Sequence, residues 1–126
     1  MKNALRSLLT ALGVSKEGIA SVDDLYKEWQ EVREKKSKAV LLDVRTPEEF
    51  ESGHVPGAIN IPSGNPLLAT KRWPDPETEI WVYCRTQGRS ASFASNLRKS
   101  GYRNIHAVEG GITAWAEKGY PIDRRP

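Results

Sequence analysis

The residues that could do chemistry lie in one stretch, residues 80–94. It opens with the apolar run Ile80-Trp81-Val82-Tyr83, which is typical of a buried β-strand. The run stops at Cys84, the only cysteine in the chain. Small, polar or cationic residues follow in the order Arg85-Thr86-Gln87-Gly88-Arg89, and after Ser90 the apolar spacing becomes helical. This pattern predicts a strand, a tight loop and a helix, with the cysteine where open α/β sheets bind ligands.

That position favours a reactive thiolate. The first turn of a helix presents backbone N–H groups and the positive end of the helix dipole. A loop that curls over such a turn forms an anion-binding concavity, so we expect the N–H groups of residues 85–90 to converge on the sulfur of Cys84. Arg85 and Arg89 add positive charge, and the thiolate is the nucleophilic form of cysteine. A structural cysteine beside two solvated arginines is the alternative.

Composition limits the other classes of function. The chain has 126 residues, of which 38% are hydrophobic, and this predicts a single domain with one core. The net charge is +3, but the cations are scattered, which argues against nucleic-acid binding. One cysteine excludes an internal disulfide and a cysteine-cluster metal site. His54 and His106 have no ligand spacing with each other, so no metal and no other cofactor is expected.

The expected location follows from the same features. No apolar run approaches the roughly 20 residues that cross a bilayer, so no membrane partner is expected. A lone reactive thiol persists most easily in a reducing cytosol, and a processed periplasmic form is the alternative. We expect the protein to be a monomer.

Residues 1–20 are predicted to form an amphipathic helical extension. Five apolar side chains recur there at helical spacing: Ala4, Leu5, Leu8, Leu9 and Leu12. The favoured interpretation is a helix packed on the domain, which itself spans residues 21–124. A transit peptide or a membrane-surface helix is the alternative.

Helices and strands alternate through residues 21–124, which predicts an α/β fold. Capping-box patterns begin helices at Ser21 and at Thr46, and further strands are expected at residues 39–44, 59–61 and 104–108. Residues 39–44 are apolar except for Asp43 and show no alternation, which indicates a parallel sheet covered on both faces. Asp43 and Arg45 end this strand and are predicted to pair. His54 is predicted to anchor a loop through hydrogen bonds of its ring nitrogens rather than to act as a general base.

Several motifs in the correct order resemble a rhodanese domain. The resemblance spans about residues 20–122. It is carried by Leu41-Leu42-Asp43-Val44-Arg45, Pro47-Glu48-Glu49-Phe50, the run from Gly53 to Pro62, the loop Tyr83 to Ser90, Gly110-Gly111-Ile112-Thr113-Ala114-Trp115 and Gly119-Tyr120-Pro121-Ile122.

The resemblance implies a fold and an activity. The fold would be a five-stranded parallel sheet flanked by helices on both faces. The activity would be sulfur transfer, without a cofactor, through a persulfide on Cys84. A small anionic donor such as thiosulfate, or a persulfide, would supply the sulfur, and an external thiol or cyanide would accept it. The backbone of Arg85, Thr86, Gln87, Gly88, Arg89 and Ser90 would bind the persulfide, and the hydroxyls of Thr86 and Ser90 could add donors.

Two alternative functions remain open from the sequence. A phosphatase family similar to rhodanese in fold, the activators of cell-cycle kinases, places five residues between its cysteine and arginine. Only four separate Cys84 from Arg89, which disfavours phosphatase or arsenate reductase activity. A sulfur-carrier or sensing module that serves a protein partner has the same fold and the same cysteine.

Overall fold

The computed structural model describes residues 18–124, which form one parallel sheet and five helices. The strands are β1 (Ile19–Ala20), β2 (Val40–Asp43), β3 (Ile59–Asn60), β4 (Ile80–Tyr83) and β5 (Ile105–Val108). The helices are α1 (Val22–Arg33), α2 (Pro47–Ser52), α3 (Pro66–Arg72), α4 (Gly88–Lys99) and α5 (Gly111–Glu117). The strand order is β1-β5-β4-β2-β3, and every pairing is parallel. The predicted five-stranded parallel sheet is confirmed.

Helices cover both faces of this sheet, as predicted. Helices α3 and α4 pack on one face, where the buried cluster includes Leu42, Val82, Phe93 and Cys84. Helices α1, α2 and α5 pack on the other face, around a cluster of large aromatic residues. Both faces of the central strand β4 are buried, which explains its unbroken apolar sequence.

The two predicted capping boxes are present. The side chain of Ser21 accepts from the Asp24 N–H, and Asp24 Oδ2 accepts from the Ser21 N–H, both at 3.1 Å. Thr46 and Glu49 make the same reciprocal pair at 3.2 and 3.0 Å. Each box satisfies N–H groups that a helix leaves unpaired at its start, and the second fixes α2 directly after the end of β2.

Strand β1 differs from the sequence prediction, which places residues 19 and 20 in the N-terminal extension. They form an edge strand instead, and the Glu109 N–H donates to the Ala20 carbonyl at 2.7 Å. The Arg98 guanidinium donates to the Gly18 and Ile105 carbonyls, each at 3.2 Å, and joins this strand to β5. The other residues of the extension, 1–17, lie outside the described part of the chain.

The predicted pairing of Asp43 with Arg45 is confirmed, and the pair is buried. Arg45 donates through Nη2 to Asp43 Oδ2 at 2.7 Å and through Nε to Oδ1 at 3.0 Å, and the two residues are 4% and 0% exposed. Burial alone would lower the pKa of Arg45, but the hydrogen bonds and charge of Asp43 outweigh it and raise that pKa. Burial, reinforced by Asp43, holds the pKa of Tyr83 well above its usual value, so the phenol is neutral.

His54 has the structural contacts that were predicted for it. Its Nδ1 lies 2.7 Å from the Phe50 carbonyl oxygen, and its ring stacks on Phe50 with centroids 3.7 Å apart. Its backbone pairs with Asp123 in an isolated antiparallel bridge. The histidine thus connects the end of α2 with the last described residues.

Candidate active site

Cys84 follows the last residue of β4, at the carboxyl edge of the sheet where ligands bind in open α/β folds. The residue is only 1% exposed. Its Sγ lies 3.5 Å from Ser90 Oγ, and the Ser90 hydroxyl donates to the Gln87 carbonyl at 2.9 Å. Ser90 is itself fully buried. The sulfur therefore lies at the base of the loop, with a hydroxyl beside it.

Helix α4 begins at Gly88, earlier than the sequence indicated. Ala91 makes the first helical hydrogen bond, from its N–H to the Gln87 carbonyl at 2.9 Å. The N–H groups of Gly88, Arg89 and Ser90 precede that bond and belong to the electropositive helix start. Glycine has a low helix propensity, which is why the sequence pattern placed Gly88 in the loop. Convergence of the amides of residues 85–90 on the sulfur stays a prediction.

Arg89 is held by an acidic side chain from another helix. Its Nη1 and Nη2 donate to Glu49 Oε1 and Oε2 at 2.6 and 3.1 Å, a two-point contact. The Arg89 hydrogen bond, partly opposed by burial, holds the pKa of Glu49 at about 2. The same hydrogen bond raises the pKa of Arg89, and the nearby Cys84 makes a smaller electrostatic contribution. The pair is therefore ionised at neutral pH and ties α2 to the first turn of α4.

The other predicted site residues differ in their exposure. Arg85, Thr86 and Gly88 are exposed, and Gln87 is partly buried. Of the two arginines, Arg85 faces solvent, whereas Arg89 is hydrogen-bonded to Glu49. Of the two hydroxyls, the structure brings that of Ser90, rather than that of the exposed Thr86, to the sulfur. Arg85 is therefore the more exposed of the two loop arginines.

A contact from α5, which the sequence pattern does not predict, holds the other side of the loop. The N–H groups of Ile112 and Thr113 donate to the carbonyls of Cys84 and Arg85 at 2.9 and 3.2 Å. Gly111 has φ +53°, and a Cβ on it would collide with the Cys84 carbonyl oxygen. Glycine is therefore required for this close approach. The adjacent Gly110-Gly111 pair was the available sequence signal.

Between residues 18 and 124, no cluster of three or more histidine, cysteine, aspartate or glutamate residues could hold a metal ion. None of the helices in this part of the chain has the length and apolar character needed to cross a membrane.

Comparison with known proteins identifies the family. The model of the rhodanese-like domain matches residues 21–118. The uncharacterized protein YqhL of Bacillus subtilis is 39% identical over 89 residues, which cover 71% of this chain and 70% of that protein. Thiosulfate sulfurtransferase 16, chloroplastic, of Arabidopsis thaliana is 38% identical over 91 residues, which cover 64% of this chain and 76% of that protein.

A solved structure agrees with these sequence matches. The crystal structure of a rhodanese-related protein from Thermoplasma volcanium superimposes with a TM-score of 0.68 at 32% identity. The match covers 84% of this chain and 97% of that protein. The cysteine loop at the carboxyl edge of a five-stranded parallel sheet, together with a family match over most of the sequence, shows that the chain belongs to the rhodanese-like sulfurtransferase family.

Proposed function

We propose that the protein transfers a sulfane sulfur through a persulfide on Cys84, from thiosulfate or a persulfide donor to an external thiol or cyanide. The observation that carries the proposal is the position of Cys84, which is buried beside Ser90 at the start of α4. A similar protein is named as a thiosulfate sulfurtransferase, which agrees with this chemistry.

In the first step, the Cys84 thiolate attacks the outer sulfur of thiosulfate. A sulfur–sulfur bond forms to Cys84, the bond from that sulfur to the sulfonate breaks, and sulfite leaves with the bonding electron pair. The outer sulfur of the persulfide then carries negative charge. The helix start supplies fixed dipoles for that charge, and the Ser90 hydroxyl can rotate from the Gln87 carbonyl to donate to sulfur.

In the second step, an acceptor takes the outer sulfur. Cyanide or a thiolate attacks it, a bond forms to the acceptor, and the sulfur–sulfur bond to Cys84 breaks with its electron pair returning to Cys84. The chain has one cysteine, so no internal thiol can resolve the persulfide. The acceptor must come from outside, and ping-pong kinetics are expected.

The position of Arg89 also favours sulfur transfer over phosphatase chemistry. A cysteine phosphatase needs a loop arginine that is free to bind the phosphoryl oxygens. Arg89 is instead bound at two points by Glu49. This contact agrees with the loop length, because a shorter loop fits a single sulfur better than a tetrahedral phosphate.

Intact-mass spectrometry tests the proposal directly. After incubation with thiosulfate and removal of excess donor, we expect the protein to gain the mass of one sulfur atom, located by peptide mapping at Cys84. Addition of cyanide should remove that mass and release thiocyanate. Repeated turnover distinguishes an enzyme from a sulfur carrier, which would load once and wait for its partner. A protein whose mass does not change with thiosulfate or with a persulfide donor would rule out the proposed intermediate.

Arg85 is expected to attract the anionic donor. An exposed cation raises the encounter rate of an anion, and salt screens this effect. We therefore expect Arg85→Ala to raise KM for thiosulfate about tenfold, with a smaller change in kcat and a weaker dependence on salt. Steady-state kinetics over a salt series would measure all three.

The control for Arg85 is Lys99→Ala, which removes the same charge from the last turn of α4, at its other end. This variant should behave like the wild-type protein, and a neutral sulfur donor should be little affected by either change. If Arg85→Ala instead lowers kcat strongly and leaves KM and the salt dependence unchanged, Arg85 stabilises the transition state rather than attracting the donor.

A further inference from the structure

An exposed apolar patch lies on α3. Leu67 and Leu68 are 70% and 50% exposed, and Ile19 is the only other large hydrophobic residue so exposed between residues 18 and 124. Exposed apolar residues that occur singly are ordinary, whereas Leu67 and Leu68 are adjacent on one short helix. Ala69, the next residue, is fully buried in the cluster that contains Cys84. Helix α3 therefore packs inward through Ala69 and presents the two leucines to solvent.

This patch lies at the same edge of the sheet as Cys84. The Ser63 N–H donates to the Val44 carbonyl, and the Val44 N–H donates to the Tyr83 carbonyl, both at 3.0 Å. The segment before α3 thus continues the sheet beside the end of β2, which lies beside Cys84. Neighbouring strands lie about 5 Å apart, and the end of β2 lies between Ser63 and Cys84. The backbones of these two residues are therefore roughly 10 Å apart. Leu67 follows Ser63 by one short turn.

Exposed cations flank the two leucines, and the next acidic residue along the chain, Asp75, lies in the loop after α3, where it accepts from the Glu77 N–H at 2.9 Å. Lys71 and Arg72, at the end of α3, and Arg85, next to Cys84, are all exposed. The acidic residues Glu48 and Glu49 belong to α2, which packs on the opposite face of the sheet. Glu49 is also neutralised by Arg89. We name the surface formed by Leu67, Leu68, Lys71, Arg72 and Arg85 the leucine patch.

We propose that the leucine patch docks an acidic, apolar segment of a protein that presents a cysteine thiol and accepts the sulfur from Cys84. This inference rests on the proposed function and specifies its acceptor. Thiosulfate and cyanide are too small to use an apolar surface beside the site. Cys84 is 1% exposed, so a protein thiol must be inserted on a narrow segment, and contacts outside the loop must hold that segment in place.

The transfer step is a thiol–persulfide exchange. The thiolate of the docked protein attacks the outer sulfur on Cys84, and a sulfur–sulfur bond forms between them. The bond between that sulfur and Cys84 breaks, and its electron pair returns to Cys84 as thiolate. The partner leaves as a persulfide, and no oxidant or reductant is consumed.

Two synthetic cysteine peptides of equal length would test the inference. One has leucine and glutamate residues around its cysteine, and the other has serine and lysine residues there. The protein variants are Leu67→Ser/Leu68→Ser and the control Ile19→Ser, which removes an exposed apolar side chain from the far edge strand. For each protein, KM is measured for both peptides and for cyanide as acceptors.

We expect the wild-type protein and Ile19→Ser to prefer the acidic leucine peptide. In Leu67→Ser/Leu68→Ser, KM for that peptide should rise about tenfold, as for truncation of an interface anchor. Turnover with cyanide should be unchanged in both variants. Equal KM values for the two peptides in the wild-type protein, or an unchanged preference in the double variant, would overturn the inference while leaving the proposed function intact.

A binding measurement separates the two hypotheses further. The same peptides, with serine in place of cysteine, are titrated into wild-type and variant proteins by calorimetry, which requires no sulfur transfer. Selective binding of the acidic leucine peptide that is lost in the double variant supports the leucine patch even without turnover. Binding without such selectivity overturns it. Failure of cyanide turnover in the wild-type protein would count against the proposed function alone.

Discussion

Replacing Cys84 with serine should abolish sulfur transfer while leaving the fold intact. The hydroxyl of serine is not ionised near neutral pH and cannot hold a persulfide, so turnover should fall by about four orders of magnitude or more. Ser90 Oγ lies 3.5 Å from Sγ, a distance that suits sulfur but is long for a bond between two hydroxyls. The free energy of unfolding should therefore fall by about 1–3 kcal/mol, the cost of a buried hydroxyl without a close partner, and the protein should remain folded.

Three measurements check this expectation. Thiocyanate formation gives the turnover, intact mass after thiosulfate shows whether sulfur is bound, and thermal unfolding shows whether the fold is retained. Cys84→Ala is the second variant, because it removes the sulfur without adding a buried hydroxyl. Sulfur transfer that persists in either folded variant would show that Cys84 is not the nucleophile.

Replacing Asp43 with alanine should destabilise the protein strongly. Arg45, only 4% exposed, would keep its charge and its hydrogen bond to the Gly53 carbonyl but lose its carboxylate partner. Removing one member of a buried ion pair costs about 3–5 kcal/mol of unfolding free energy. At roughly 3–6 °C per kcal/mol for a domain of this size, the thermal midpoint should fall by about 10 °C or more.

Chemical denaturation of matched variants measures this effect. Glu34→Ala removes one member of an exposed ion pair with Lys36 and should cost less than about 1 kcal/mol. Asp43→Ala/Arg45→Met removes both buried charges and should recover part of the lost stability. If Asp43→Ala costs no more than Glu34→Ala, the buried pair does not stabilise the domain as its geometry indicates.

Much of the fold could be predicted from the sequence because local signals agreed. Strand β4 has an unbroken apolar sequence, and α1 and α2 begin with capping boxes that span only four consecutive residues. Strand β1 has no such signal. It contains two residues, and its conformation depends on pairing with β5 and on Arg98, which is far away in the chain.

The active-site loop was only partly predictable for the same reason. Cys84 and the helix after it could be read from residues 80–94, because a strand, a loop and a helix follow in order. The contact of Arg89 with Glu49 joins residues 40 positions apart, and a single sequence gives no sign of it. The amides of Ile112 and Thr113 reach the loop only after the sheet has brought α5 to it.

The carboxylate of Glu49 is shared between two helices. Its Oε1 accepts from the Thr46 N–H, which closes the first turn of α2, and from Arg89 Nη1 in the first turn of α4. Groups that share a partner are thermodynamically coupled, so their free energies do not add. Any local opening that frays the start of α2 would also release Arg89. The rigidity of the cysteine loop is therefore linked to the local stability of a short helix on the opposite face of the sheet.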